Sequence, residues 1–249
     1  VGTGSTQEAA DWLEYMTGTA PTSLVQERAA NGHPKPWRVK YIGIGNESWG
    51  CGGPFSPEAY IDELKRYSHF VNNYNPEQAG PSAAEFLATF DPAKPDLSKL
   101  QPGPNAMRRI AVGPDGANTE YTEAVMKAWQ SKQPFSWNIE GLSLHFYTTG
   151  KGMPMIMPST DFGNADYALI LKDTLRMDSV LSVNSAIMDK YDPTRKVALV
   201  VDEWGAWLRP IPGHNPVFLR QQSSLRDAIL AALNLNIFAR HADRVRMAN

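Results

Sequence analysis

The 249 residues carry 24 basic and 26 acidic side chains, a net charge of −2 that gives no basic footprint for nucleic acid. A hydrophobic share of 42% suits a soluble globular chain with a substantial core, and no apolar run approaches the ~18 residues of a membrane-spanning helix. The one cysteine, Cys51, excludes an internal disulfide framework and a cysteine-rich zinc site, and on that count a cytoplasmic location is expected.

In chain order, residues 8–16 predict a short helix with Ser5 or Thr6 as its cap. The Pro/Gly-rich run Asn31-Gly-His-Pro-Lys-Pro36 follows, and residues 39–44 form a β-rich run that ends at Asn46-Glu47. Residues 57–73 predict an amphipathic helix, with Ser56 as N-cap and Pro57 at its first position. Residues 78–105 read as an insertion: Pro81, Pro92, Pro95, Pro102 and Pro104 surround Phe86, Leu87 and Phe90, which fits a surface excursion with one short helix. A strand at 109–112 leads into Gly113-Pro-Asp-Gly116, and a helix at 120–132 follows. A strand at 139–147 closes on His145-Phe146-Tyr147, and a loop with Met153, Met155 and Met157 comes next, read as plain packing. A long helix is expected over 165–190 and an apolar strand over 196–201, running into Asp202-Glu203. A last helix spans about 216–240, and 243–249 read as a strand beginning. Val1-Gly-Thr-Gly4 reads as a strand-to-helix turn without an initiator Met, so a piece of a longer protein is expected.

Strands alternating with helices predict parallel βαβ units and an α/β fold. Chemistry placed after the strands suits a doubly wound sheet or a (β/α)8 TIM barrel. No Gly-x-Gly-x-x-Gly follows a strand and no phosphate-binding loop is present, which favours the barrel. Four full strands and a beginning fifth correspond to the C-terminal half of a barrel, about strands 4 to 8. Such a half leaves open sheet edges, so on its own it is expected to be unstable or to aggregate.

Two carboxylates carry the chemistry. Glu47, in Gly43-Ile-Gly-Asn-Glu-Ser-Trp-Gly50, and Glu203, in Val200-Val-Asp-Glu-Trp-Gly-Ala-Trp207, each close a β-rich run and precede a Trp and a Gly. A pair of acids at strand ends suits glycosidic cleavage, one protonating the leaving oxygen and the other attacking or stabilising the sugar cation. Glu47 is the candidate acid/base and Glu203 the candidate nucleophile. The plain alternative for Asn46-Glu47 is a cap on the following turn. Asp202 competes with Glu203, but alternation along a strand would put Val197, Leu199, Val201 and Glu203 on one face and Asp202 on the other.

Asn46 is a candidate donor to a sugar hydroxyl. Tyr147 is placed to hold the nucleophile, and His145, two residues earlier, shares its face; apolar packing and a structural histidine are the plain alternatives. Trp49 and Trp207 are candidate pocket walls, against the alternative of ordinary core aromatics, and Trp204 is expected to shape the strand end. Cys51 is expected to be a buried small apolar residue. With five histidines and no His-x-x-x-His pair, no metal site is expected. Arg240, His241, Arg244 and Arg246 read as a solvated or inter-subunit face.

At these residues the chain resembles the α-L-arabinofuranosidases of glycoside hydrolase family 51. The resemblance is carried by Lys40-Tyr-Ile-Gly-Ile-Gly-Asn-Glu-Ser-Trp-Gly50, Gly141-Leu-Ser-Leu-His-Phe-Tyr147 and Val200-Val-Asp-Glu-Trp-Gly-Ala-Trp207, with Asn31-Gly-His-Pro34 and residues 225–236 in support. It covers nearly the whole chain except about 78–105, which is longer than usual for the family. It implies a (β/α)8 barrel followed by a β-sandwich domain, and retaining release of terminal arabinofuranosyl groups from arabinan, arabinoxylan or their oligosaccharides. Glu47 matches the family's acid/base, Glu203 its nucleophile, Asn46 and Tyr147 its sugar or nucleophile contacts, and Trp207 a pocket aromatic. The resemblance also implies a homo-oligomer, commonly a hexamer, and no cofactor. The family's early-strand Glu and Cys, its Gln after the last strand and its sandwich domain are not expected within these residues. Two alternatives stay open: another retaining barrel glycosidase, such as an endoglucanase or β-xylosidase, and a non-catalytic carbohydrate-binding protein.

Overall fold

A computed structural model describes residues 4–79, 87–94, 105–116, 118–133 and 136–249. The chain divides into two compact units, one of Val1–Ala111 with Lys132–Ile139 and the other of Val112–Ser131 with Glu140–Asn249.

The first unit opens with helix α1 (Thr6–Thr17), started by a capping box in which the Ser5 hydroxyl accepts from the Glu8 N–H and the Glu8 carboxylate accepts from the Ser5 N–H. Helix α2 (Ser23–Ala30) packs on α1. It buries Arg28, whose guanidinium donates to the carbonyls of Tyr15, Gly18, His33 and Pro34 at 2.8, 2.9, 3.0 and 3.3 Å. A buried cation is tolerated because its donors are met, and the Asn31–Pro36 turn is thereby tied to α1.

Strand β1 (Tyr41–Ile44) starts two residues later than the sequence predicts, and strand β2 (Arg108–Ala111) pairs with it in parallel, Ile42 opposite Arg109. Ile42 joins Ala9, Leu13, Val71 and Met107 in one apolar cluster. Helix α3 (Pro57–Ser68) begins with the Ser56 cap and Pro57. It ends at Ser68, short of the predicted 73, where the Ser68 hydroxyl bonds back to the Leu64 carbonyl at 2.6 Å. Tyr60 of α3 donates to the Ile44 carbonyl at 2.7 Å, which anchors the helix to the end of β1. A short helix, α4 (Pro76–Ala79), places Gln78 against the Val39 carbonyl. Of the expected insertion, residues 80–86 and 95–104 lie outside the described residues.

The second unit carries parallel strands β3 (Gly141–Thr148), β4 (Ala198–Ala206) and β5 (Val245–Ala248), in that order. Gly141 to Phe146 and Ala198 to Val201 are buried residue after residue, as in a parallel sheet covered on both faces. Helix α5 (Glu120–Gln130) packs on helix α7 (Arg176–Tyr191), where the buried Thr122 hydroxyl donates to the Asn184 amide oxygen at 2.7 Å.

The long helix expected over 165–190 is two helices, α6 (Asn164–Thr174) and α7. Thr174 turns its hydroxyl back onto the Ile170 carbonyl at 2.8 Å, a bond that bends helices. The last helix, α8 (Leu225–Arg240), begins nine residues after the predicted start. Pro216 opens only a 3₁₀ turn, capped by Asn215 and ended by Leu219 at φ 49°. Met157, Ile170, Leu208 and Leu230 form an apolar cluster of this unit.

Of the basic cluster near the C-terminus, Arg240 and Arg246 are exposed as a solvated face requires, and Arg244 is the exception. Arg244 is 1% exposed. It donates to the Asp192 carboxylate at 3.0 Å, to the Val197 carbonyl at 2.9 Å and to the Asp189 carboxylate. Arg240 and His241 meet Asp178 at 3.2 and 2.9 Å, and Arg246 donates to the Arg195 carbonyl. These pairs hold the carboxyls of Asp178 and Asp189 below the usual range, through bonds from His241 and Arg240 in the first case and mainly from Arg195 in the second.

Candidate active site

Glu47 belongs to the first unit and Glu203 to the second. Each is held by its own surroundings.

Glu47 is half-buried three residues after β1, at φ 42°. A side chain other than glycine pays for that left-handed conformation, so the surrounding turn must enforce it. Its carbonyl accepts from the Gly50 and Gly52 N–H groups at 2.8 and 3.0 Å, and the Phe55 N–H closes onto the Ser48 carbonyl at 2.7 Å. Gly52 lies so close beneath Asn46 that a Cβ there would stand 1.7 Å from the Asn46 carbonyl oxygen. The turn therefore requires glycine at 52. Asn46 is exposed and Trp49 is half-buried on the same turn.

Cys51 is exposed, contrary to the expected buried apolar role, and its thiol donates to Glu47 Oε2 at 2.8 Å. The sequence signal for this contact is a polarizable donor four residues after the acid, within a glycine-rich turn.

Glu203 lies inside β4, on a strand that continues to Ala206. Tyr147 of β3 donates its hydroxyl to Glu203 Oε2 at 2.8 Å. His145, 3% exposed, sets Nδ1 3.4 Å from the same oxygen and Nε2 3.2 Å from Asp202 Oδ1. Trp207 is half-buried and meets the Tyr147 ring edge-on at 5.1 Å. Trp204 instead packs edge-on against Phe238 of α8, also at 5.1 Å.

The strict alternation expected along β4 fails. Ser143 pairs with Val200 and His145 with Glu203, two steps on β3 against three on β4. The extra residue is a bulge, which breaks the in–out pattern locally. Asp202 and Glu203 consequently both reach the His145 ring, instead of pointing to opposite faces. Two residues before His145 the packing is tight: Gly113 donates its N–H to the Ser143 hydroxyl at 3.2 Å, and a Cβ there would lie 1.9 Å from the Ser143 carbonyl oxygen.

The sequence pattern of the α-L-arabinofuranosidase 1 domain matches residues 3–109, and that of the α-L-arabinofuranosidase C-terminal domain matches residues 202–249. The latter segment holds the end of β4, α8 and β5. An intracellular exo-α-L-arabinofuranosidase of Bacteroides ovatus is 35% identical over 249 residues, which is all of this chain and 42% of that protein. Among solved structures, the family 51 arabinofuranosidase of Xanthomonas axonopodis pv. citri superposes with a TM-score of 0.81 at 43% identity, over 100% of this chain and 43% of its own. The α-L-arabinofuranosidase of Thermotoga maritima, solved with arabinose, gives 0.68 at 26% identity, over 100% and 41%. The chain thus spans less than half the length of the relatives it matches, and its fold is part of a (β/α)8 barrel. On these matches, the chain belongs to the α-L-arabinofuranosidases of glycoside hydrolase family 51.

Proposed function

We infer that the intact protein bearing this chain is a retaining glycosidase that releases terminal α-L-arabinofuranosyl groups from arabinan, arabinoxylan or their oligosaccharides. Glu203 is the nucleophile and Glu47 the acid/base. The observation that carries the reading is that one Glu203 oxygen is engaged by a tyrosine hydroxyl, with a buried histidine ring beside it. Tyr147 donates to Oε2, and His145 Nδ1 faces the same atom. That leaves the second oxygen to attack the anomeric carbon. As the carbon–oxygen bond to the leaving group breaks, Glu47 gives its proton to the departing oxygen. Water then attacks the glycosyl ester, Glu47 takes the water's proton, and arabinose leaves with Glu203 restored. Asn46 serves a sugar hydroxyl. Trp207, whose indole N–H is buried without a hydrogen-bond partner among the described residues, offers a wall and a donor, and Trp49 a second wall.

The matching Bacteroides enzyme is named exo-acting and intracellular, which supports terminal release and a cytoplasmic site for this protein as well. No described helix is long and apolar enough to cross a membrane. Assembly into a homo-oligomer belongs to the same reading, and sedimentation of the intact protein tests it.

The test is Glu203→Ala in the intact protein, assayed on nitrophenyl arabinofuranoside, nitrophenyl xyloside and a soluble glucan. Turnover of the arabinofuranoside should fall to background, and azide should restore it as the inverted glycosyl azide. Unchanged activity removes Glu203 as nucleophile. Preference for the xyloside or glucan by the unmutated protein replaces the substrate. Sugar binding without hydrolysis makes the protein a carbohydrate binder.

A further inference from the structure

We propose that Cys51 is a positioning residue for Glu47, its thiol fixing the direction in which the carboxyl exchanges its proton with the substrate. The inference rests on Glu47 being the acid/base.

A glutamate side chain has three rotatable bonds, and a proton donor must be held to a fraction of an ångström and a few tens of degrees to act. The turn after β1 does the first part of this. It keeps Glu47 at φ 42° with two N–H groups on its carbonyl, and so fixes the root of the side chain. The same turn, folding back so tightly that Gly52 rests on the Asn46 carbonyl, brings the residue before Gly52 alongside the acid. That residue is Cys51, with its sulfur 2.8 Å from Oε2.

A thiol is a weak donor to neutral groups, but the bond strengthens as Glu47 gives up its proton and its carboxyl becomes charged. Packing does not account for the cysteine, because it is exposed. The thiol keeps its own proton throughout, and no bond to sulfur forms.

The experiment compares aryl arabinofuranosides with leaving groups from dinitrophenol to unsubstituted phenol, on the intact protein and on Cys51→Ala, Cys51→Ser and Glu47→Ala. Dinitrophenolate departs without a proton, whereas phenolate needs one. Loss of a proton donor therefore costs more as the leaving group worsens. Cys51→Ala should lose about tenfold in kcat/KM on the phenyl substrate, the size of one hydrogen bond to a charged group, with little loss on the dinitrophenyl one. Cys51→Ser, which keeps a donor on the same carbon, should recover most of that loss. Activity retained on the dinitrophenyl substrate reports an intact fold.

A loss equal across all leaving groups, a change confined to KM, or no recovery in Cys51→Ser overturns the proposal. A steep dependence in Glu47→Ala with none in Cys51→Ala overturns it while leaving Glu47 as the acid. No dependence in Glu47→Ala removes the acid assignment and this inference with it.

Discussion

In the first unit the buried guanidinium of Arg28 is met by backbone carbonyls, whereas in the second the buried guanidinium of Arg244 is met by the carboxylates of Asp192 and Asp189. The same contrast runs through the two acids. Glu47 is aimed by backbone: a left-handed residue, two N–H groups on its carbonyl and a glycine with no room for a Cβ. Glu203 is aimed by side chains standing on the neighbouring strand, brought into line by a bulge. Backbone-held geometry is broken by added bulk, and side-chain-held geometry by removal of a single polar atom. The two acids should therefore fail in different ways.

The largest effect is expected in the scaffold beneath β4. Arg244→Met strands Asp192, itself 2% exposed, and should cost the second unit about 3–5 kcal/mol. Arg28→Met leaves neutral carbonyls unmet and should cost the first unit less, about 1–3 kcal/mol. Hydrogen-exchange protection measured separately over each unit in the intact protein gives both numbers, and equal losses would erase the contrast. Next comes the turn. Gly52→Ala pushes against the Asn46 carbonyl, and a displacement of the acid by about 1 Å should lower kcat about 100-fold. An unchanged kcat would show that the turn does not aim Glu47.

A smaller effect follows from Tyr147→Phe, which deletes one oxygen and keeps the ring against Trp207. It should lower kcat about tenfold with the fold intact by thermal unfolding. The smallest concerns Asp173, which receives the Thr149 and Gly150 N–H groups at 3.0 and 2.9 Å just beyond β3. Burial pushes its carboxyl up, but those bonds and Arg176 outweigh it, so the folded value is depressed. Its contribution to stability is then complete above the unfolded aspartate value of about 3.9 and is lost as pH falls through the lower folded value. Asp173→Asn should flatten the acid end of a stability curve taken by denaturant unfolding. An unaltered acid slope would show that the carboxylate contributes nothing there.

Elements governed by local chemistry were legible in the sequence. The start of α1 near Ser5, one of the two caps expected there, and the Ser56–Pro57 start of α3 are set by neighbours within a few residues. Features set by distant partners were not. The burial of Arg244 depends on Asp192, far back in the chain, and on the seating of β5 beside β4, so a run of basic residues looked like surface. The bulge in β4 is a mismatch in spacing against β3, invisible in β4 alone, and it is what brings Asp202 to His145 beside Glu203. Pro216 was a fair helix-start signal with the wrong outcome, because Asn215 caps a single 3₁₀ turn that Leu219 then ends. Cys51 departs from expectation for a related reason: its environment is made by the turn of the chain, whereas composition carries only the tendency of a lone cysteine to be buried.

The most direct measurement is to trap the glycosyl-enzyme. The intact protein is treated with a fluorinated arabinofuranosyl inactivator whose ester hydrolyses slowly, digested, and mapped by mass spectrometry. The account predicts one arabinosyl label, on Glu203. A label on Asp202 or on Glu47, or no label together with an inverted product, would contradict it.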